Sequence, residues 1–407
     1  MDAKTILNNS REIGENIIKT RRWLHSHAET GFDLAETVGF VKDKLSELKI
    51  ECHDCGKSGV VAALGSGAPV FLLRADMDAL PIKEMADVDF PCENGNMHAC
   101  GHDMHTAILL GAAAILKKHE KDIKGTVKFM FQPAEENLSG AKNMIENGVL
   151  ENPAVDCAMM LHVLAGFPLK TGTVIVPADG VGAPAADYFT INVQGKGCHG
   201  STPHLGVDSI TVAAHILLGL QEISARELGV SDDALLTIGL FHGGTAGNVI
   251  ADTAVMQGTM RAFDDDTREM MKKRLVEIAE NIGASYRAKV TVTFDSGCPT
   301  LENDGQLALE IEKYAKEIMG EGLVVNASTF GKEQTHRGGS EDFAYVSKKV
   351  PSVMLGIAAG EPEKGFKYNQ HHPKVTFDES VMEKCSAVMA YCATKWLENN
   401  TKLKNNL

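Results

Sequence analysis

The sequence predicts an α/β fold: a domain with a mixed central sheet flanked by helices, carrying an inserted ferredoxin-like sandwich. Three observations lead there. Short apolar runs alternate with amphipathic helical patterns from the first residues to His162, the signature of strands covered by helices. The stretch from Asp187 to Gly297 has strand–helix–strand–strand–helix–strand order, the split βαβ arrangement. After Gly297 the helix–strand alternation resumes, and 407 residues are more than a single core usually fills. The expected partition is one α/β domain in two parts, 1–184 and 298–407, around an insert at 185–297.

Taken in order, apolar residues at helical spacing predict helices over Ala3 to Ser26 and Leu34 to Leu48. Strands follow at Val60 to Leu64 and Val70 to Ala75, then a helix from His102 to Lys117. A strand at Gly125 to Gln132, a helix at Ser139 to Asn147 and a strand at Val155 to His162 complete the first part. The insert reads as a strand (Tyr188 to Val193), a helix (Val207 to Leu228) and strands at Ala234 to Phe241 and Ala254 to Phe263. A helix (Asp266 to Ala284) and a strand (Val290 to Phe294) close it. Beyond it lie a helix at Gly305 to Met319, a strand at Ser352 to Ile357 and a helix from Ser380 to Asn399, with a charged tail after Trp396 expected to fray.

The chain carries 40 Lys+Arg against 54 Asp+Glu, a formal charge of −14. Neither nucleic acid nor an anionic membrane is an expected partner, since both demand a net basic surface. No apolar run reaches the roughly 18 to 20 residues of a membrane span. The segment MDAKTILNNSREIGENIIKTRRW is charged throughout, unlike a signal peptide. Nine cysteines without regular spacing fit a reducing compartment, so a cytoplasmic protein is expected. Cys52 and Cys55 form a C-x-x-C with no second pair to complete a zinc site, leaving an incidental or a redox role.

Four segments carry candidate chemistry. Met97-His98-Ala99-Cys100-Gly101-His102-Asp103-Met104-His105 is dense in metal-competent groups just before a helix. Cys100 and His102, at alternate positions of an extended loop, can converge on one divalent ion; a Cys–His nucleophilic pair or a merely polar loop remain alternatives. In Phe131-Gln132-Pro133-Ala134-Glu135-Glu136 the proline ends a strand, so the acids fall at its carboxyl end, where open α/β sheets place their sites. Adjacent acids point in different directions, which lets one bind metal while the other serves as general acid and base; Glu-Glu pairs are also common on solvated surfaces. His162 closes an apolar strand, as a ligand or as a rim histidine. His371-His372-Pro373 follows a Gly-containing turn, and Pro373 restricts the backbone before it.

In this order and over almost the whole chain, these segments resemble the metal-dependent amidohydrolases related to aminoacylase, carboxypeptidase G and bacterial dipeptidases. The likeness is greatest to the branch of hippurate hydrolase, N-acyl-amino-acid amidohydrolases and plant auxin-conjugate hydrolases. It is carried by RRWLHSHAETGF, LLRADMDALPIKE, MHACGHDMHTA, FQPAEE, LHV, GKGCHGSTPHLGVDSI, GGTAGNVIADTA, GTMRAF, GGSEDFA and HHPKVTFDE. His27-Ala28-Glu29 stands where relatives usually have His-Pro-Glu, and Ala251 precedes Asp252 where Pro is usual.

The resemblance implies a catalytic α/β domain whose insert is a lid and dimerisation domain, hence a homodimer. It implies two divalent metal ions per subunit (Zn, Mn, Co or Ni) held by Cys100, His102, Glu136, His162 and His371, with at least one group or a bridging hydroxide shared. Glu135 would be the general base and Asp78 would orient a ligand histidine. His199 would reach across the dimer to stabilise the oxyanion, and Asn248 and Arg261 would bind substrate, Arg261 pairing with a free carboxylate. The implied activity is hydrolysis of N-acetyl, N-benzoyl or similar N-acyl amino acids. A metallo-dipeptidase or aminopeptidase is the alternative within the class; a metal store and a thiol hydrolase using Cys100 are the alternatives outside it.

Overall fold

The structure is a computed structural model that describes residues 1–330 and 339–404. Gly338, the first residue of GGSEDFA, lies outside the described residues. Two compact units are present, one built from Met1–Gly182, the run from Glu302 and the C-terminal segment from Asp342, the other from Ala183–Leu301.

The chain opens with α1 (Ala3–Ser26), capped by the Asp2 side chain on the Thr5 amide at 2.9 Å. After α2 (Ala35–Glu47) come β1 (Cys52–Cys55), β2 (Gly59–Gly65) and β3 (Val70–Asp76), then α3 (His102–Lys118). β4 (Thr126–Gln132), α4 (Gly140–Glu146), β5 (Cys157–Leu164), β6 (Val174–Val176) and β7 (Gly180–Ala183) follow.

The second unit holds β8 (Ala185–Gln194), β9 (Cys198–His199), α5 (Ser209–Gly219), β10 (Ala234–Gly243), β11 (Val249–Ile250), β12 (Thr253–Ala262), α6 (Asp265–Ser285) and β13 (Lys289–Cys298). Its antiparallel sheet has the order β10-β12-β8-β13. Renumbered within the insert, that is the 2-3-1-4 order of a ferredoxin-like sandwich. β8 alternates buried Phe189, Ile191 and Val193 with outward Tyr188 and Asn192, the pattern of a sheet with one covered face. The residues packing on that face include Val212 and Ile216 of α5 and Met271 and Leu275 of α6.

The first unit resumes with β14 (Leu301–Asn303), α7 (Gly305–Met319), β15 (Val324–Asn326), β16 (Ser352–Ala358) and a C-terminal helix, Met382–Lys404. Its eight-stranded sheet has the order β1-β2-β4-β3-β5-β16-β6-β15. The β4-β3-β5-β16 run is parallel, and β1, β2 and β6 join antiparallel. Every residue of β3 and β4 is buried, as strands covered on both faces require. α3 is buried on nearly every side, against α1, the C-terminal helix and the sheet.

The mixed α/β architecture agrees with the sequence reading, and three local features differ. Residues 52–55 form a strand, so Cys52 and Cys55 lie about 10 Å apart at strand rise and face opposite ways. That span is beyond the reach of a disulfide, which removes the redox reading of the C-x-x-C. The helix expected over Val207 to Leu228 stops at Gly219, the poorest helix former in the stretch, and passes into a wider turn at Ile223–Glu227. The tail after Trp396 stays helical through Lys404, because Asn399 donates to the Tyr314 hydroxyl at 2.7 Å and Thr401 to the Lys124 carbonyl at 2.9 Å.

Candidate metal centre

Three neighbouring parallel strands end at one place. β3 delivers Asp76 and, just beyond it, Asp78; β4 ends at Gln132, before Glu135 and Glu136; β5 carries His162. The register sets Asp76 level with Gln132, and the Arg74–Met160 pairing puts Asp76 and His162 at the same height. This is the carboxyl edge of a parallel sheet, where strand order lets loops diverge and leave a crevice. Cys100 and His102 arrive on the turn into α3. Between them Gly101 takes φ +87° as the helix N-cap, and a Cβ there would lie 2.4 Å from Val163 Cγ2, so only glycine fits.

The structure brings all five sequence-predicted ligands together in two groups that share one residue. Ligand-competent atoms of Cys100, His102 and His162 lie within 4.8 Å of one another, and so do those of Cys100, Glu136 and His371. Cys100 Sγ is 3.5 Å from His162 Nε2, and His371 Nε2 is 3.3 Å from Glu136 Oε1. Glu135 Oε2 stands 3.8 Å from His102 Nε2 and forms a further group with His102 and Glu136.

The histidines are oriented by what their other nitrogen does. His102 Nδ1–H donates to the Asp78 carbonyl at 2.8 Å and His162 Nδ1–H to the Val163 carbonyl at 2.8 Å, so each turns its Nε2 inward. His105 is different: it donates from Nδ1 to Asp76 Oδ1 at 2.6 Å and accepts the Val163 amide on Nε2 at 2.9 Å. Both its nitrogens are spent, so this third histidine of the motif supports the cluster from behind. Asp78 makes two kinds of contact. Its carbonyl orients His102, while its carboxylate accepts the Glu135 and Glu136 amides at 3.0 and 3.1 Å, holding the acidic pair in place.

The electrostatics favour added positive charge. Burial and Glu136 push the Cys100 thiol up. Burial alone would lower His102, but Asp76 and Cys100 raise it well above the usual imidazole range. Cys100 and Glu136 push His371 up to about 10. Burial and His105 bring His162 down to about 3, which keeps it the neutral imidazole a metal requires. Burial opposes the ionisation of Glu136, yet His371 and His102 hold its carboxyl below the usual range.

A buried network that the sequence reading did not single out braces the strand ends. Arg74 donates to Gln132 Oε1 at 2.9 Å, to Asp76 Oδ2 at 2.8 Å and to Asp342 Oδ1 at 3.2 Å. Asp342 also accepts from Gln132 Nε2 at 2.6 Å and from the Ala141 amide at 2.9 Å. The only hint in the sequence is a charged residue, Arg74, inside an apolar strand.

The remaining predicted residues lie in the second unit. His199 on β9 pairs with Val249 on β11, and the Gly200 amide donates to the Asn248 carbonyl at 2.8 Å, so His199 and Asn248 share one short ribbon. Arg261 on β12 is anchored by the Thr259 hydroxyl, by the Met260 carbonyl at 3.0 Å and by Tyr188 Oη at 3.1 Å. That is a tethered guanidinium on the outward face of the sheet.

The donor set fits divalent transition ions. Thiolate, imidazole and carboxylate converge, and one inward atom, His102 Nε2, is buried with no hydrogen-bond partner among the described residues. Orphaned buried atoms of this kind normally answer to a ligand or water.

Fold and site together define a hydrolase of the amidohydrolase type. Residues 72–395 match Peptidase family M20/M25/M40, and the chain belongs to that family. It is 34% identical over 405 residues to an N-acetyl-L-cysteine deacetylase of Bacillus subtilis (strain 168), covering 97% of this chain and 92% of that protein. It is 33% identical over 396 residues to the IAA-amino acid hydrolase ILR1-like 2 of Arabidopsis thaliana, covering 96% and 87%. Among solved structures it is similar to the Bacillus subtilis YXEP protein, described as a dinuclear metal binding peptidase from the M20 family. That match has 33% identity, a TM-score of 0.75 and coverage of 95% and 99%.

Proposed function

We propose that the chain hydrolyses the amide bond of N-acyl amino acids, with N-acetyl, N-benzoyl or similar acyl groups, to a carboxylic acid and an amino acid. The observation that carries this reading is the place of Cys100 in both ligand groups, beside a second acid, Glu135, whose backbone Asp78 holds. The deacetylase and amino acid hydrolase names of the relatives support it. Cys100, His102 and His162 would hold one divalent ion, and Cys100, Glu136 and His371 the other, drawn from Zn, Mn, Co or Ni. When bound, the ions would polarise the scissile carbonyl and acidify a water.

The side chains divide the remaining work. Glu135 takes a proton from the attacking water and returns it to the departing amine nitrogen, without which an amide does not leave. His199, from a second copy in a homodimer, donates to the developing oxyanion. Arg261 and Asn248 bind the substrate, the guanidinium pairing with the free carboxylate of the amino acid. A reducing cytoplasm suits a cysteine that must act as thiolate; among the described residues no helix is long and apolar enough to cross a membrane.

The test is a panel of N-acetyl, N-benzoyl and long-acyl amino acids, assayed for released amino acid with metal-loaded and chelated protein. Hydrolysis of acylated substrates that chelation abolishes and divalent ions restore is expected. Turnover surviving complete metal removal would point instead to Cys100 as nucleophile. Turnover confined to substrates with a free amine would point to a dipeptidase or aminopeptidase.

A further inference from the structure

The ring of His199 is not left to choose its own proton position. In the turn after β9, the Ser201 amide donates to His199 Nδ1 at 3.1 Å and the Ser201 hydroxyl lies 2.8 Å from the same nitrogen. A backbone N–H can only donate, so Nδ1 presents its lone pair, and the hydroxyl beside it must donate as well. A neutral imidazole with an unprotonated Nδ1 carries its proton on Nε2. The turn itself is braced: the Thr202 amide donates to the His199 carbonyl at 2.9 Å, and the Thr202 hydroxyl reaches it at 3.2 Å.

We propose that Ser201 is a positioning residue that holds His199 as its Nε2–H tautomer, making the ring a hydrogen-bond donor on its outward side. The functional consequence rests on the reading of His199 as the oxyanion donor. A developing negative oxygen needs an N–H, and the opposite tautomer would turn a lone pair towards it. The Ser201 hydroxyl is the side-chain half of the lock, and the amide is the half that substitution cannot remove.

The experiment is nitrogen-15 NMR on the metal-loaded full chain labelled at histidine, with the His199 signals assigned by their loss in His199→Ala. Wild type is expected to show an unprotonated Nδ1 and a protonated Nε2. Ser201→Ala is expected to raise the Nδ1–H fraction and lower kcat about two- to tenfold with KM unchanged, the effect of one hydrogen bond. Ser201→Thr, which keeps the hydroxyl, is expected to restore both. A wild-type His199 protonated on Nδ1, a Ser201→Ala spectrum identical to wild type, or a loss that threonine does not rescue would overturn the proposal. His199→Ala with undiminished kcat would overturn the oxyanion reading alone, since the tautomer is measured without reference to turnover.

Discussion

Ala134 and His371 adopt φ of +52° and +65°, a left-handed region that costs a residue with a side chain about 1–2 kcal/mol. One directly precedes Glu135 and the other is a candidate ligand, so two of the six non-glycine residues with positive φ among the described residues lie at the candidate site. Each is held by a bond to a distant part of the chain: the Ala134 amide to the Gly31 carbonyl at 3.0 Å and the His371 amide to the Ala99 carbonyl at 2.9 Å. At this scale the residue to test is Glu135, the proposed general base. Glu135→Gln keeps the shape and the backbone bond to Asp78 but removes the proton acceptor. It is expected to retain the metal content of wild type and lose about two to four orders of magnitude in kcat. Metal analysis beside single-turnover rates checks this, and near-normal turnover would take the general-base role away from Glu135.

Between β4 and α4 the loop that carries both acids closes on itself, with the Ser139 and Gly140 amides both donating to the Ala134 carbonyl at 3.3 and 3.1 Å. Gly140 begins α4 so close to this loop that a Cβ would lie 1.6 Å from the Pro133 carbonyl oxygen. Gly140→Ala must therefore push the acid-bearing turn out of place. The expected outcome is a stability loss of about 1–3 kcal/mol, the usual cost of overpacking, accompanied by weaker metal retention. Denaturant unfolding and a metal-retention assay read the two effects separately; an alanine variant of wild-type stability would show that the loop relaxes freely. The Arg74 network works at the same scale. It ties the ends of β3 and β4 to Asp342, and a buried pair of this kind is more plainly a device for holding geometry than a source of net stability.

At the scale of the whole molecule, a formal charge of −14 opposes the approach of an anionic substrate. Any attraction must come from local cations, of which Arg261, tethered over the Tyr188 ring, is the one proposed to pair with a substrate carboxylate. The proposed shared site has its own test. Mixing His199→Ala with Glu135→Gln chains and allowing exchange should generate heterodimers with one complete site, restoring about a quarter of wild-type activity at equal, random mixing in a two-fold dimer. No recovery at any ratio would mean that each chain supplies its own His199, or none. The sequence alone determined the α/β alternation and the βαββαβ insert, because hydrophobic period is a local property, while the five ligand candidates came from the resemblance of its motifs to a known family. It left open how the five candidate ligands group around Cys100. It also did not show that His105 is spent on Asp76 and Val163, that Asp78 holds the acids by its carboxylate and His102 by its carbonyl, or that Arg74 and Asp342 meet. Those are contacts between residues far apart in the chain, set by strand register and by which loops share the carboxyl edge of the sheet, and only the tertiary structure decided them.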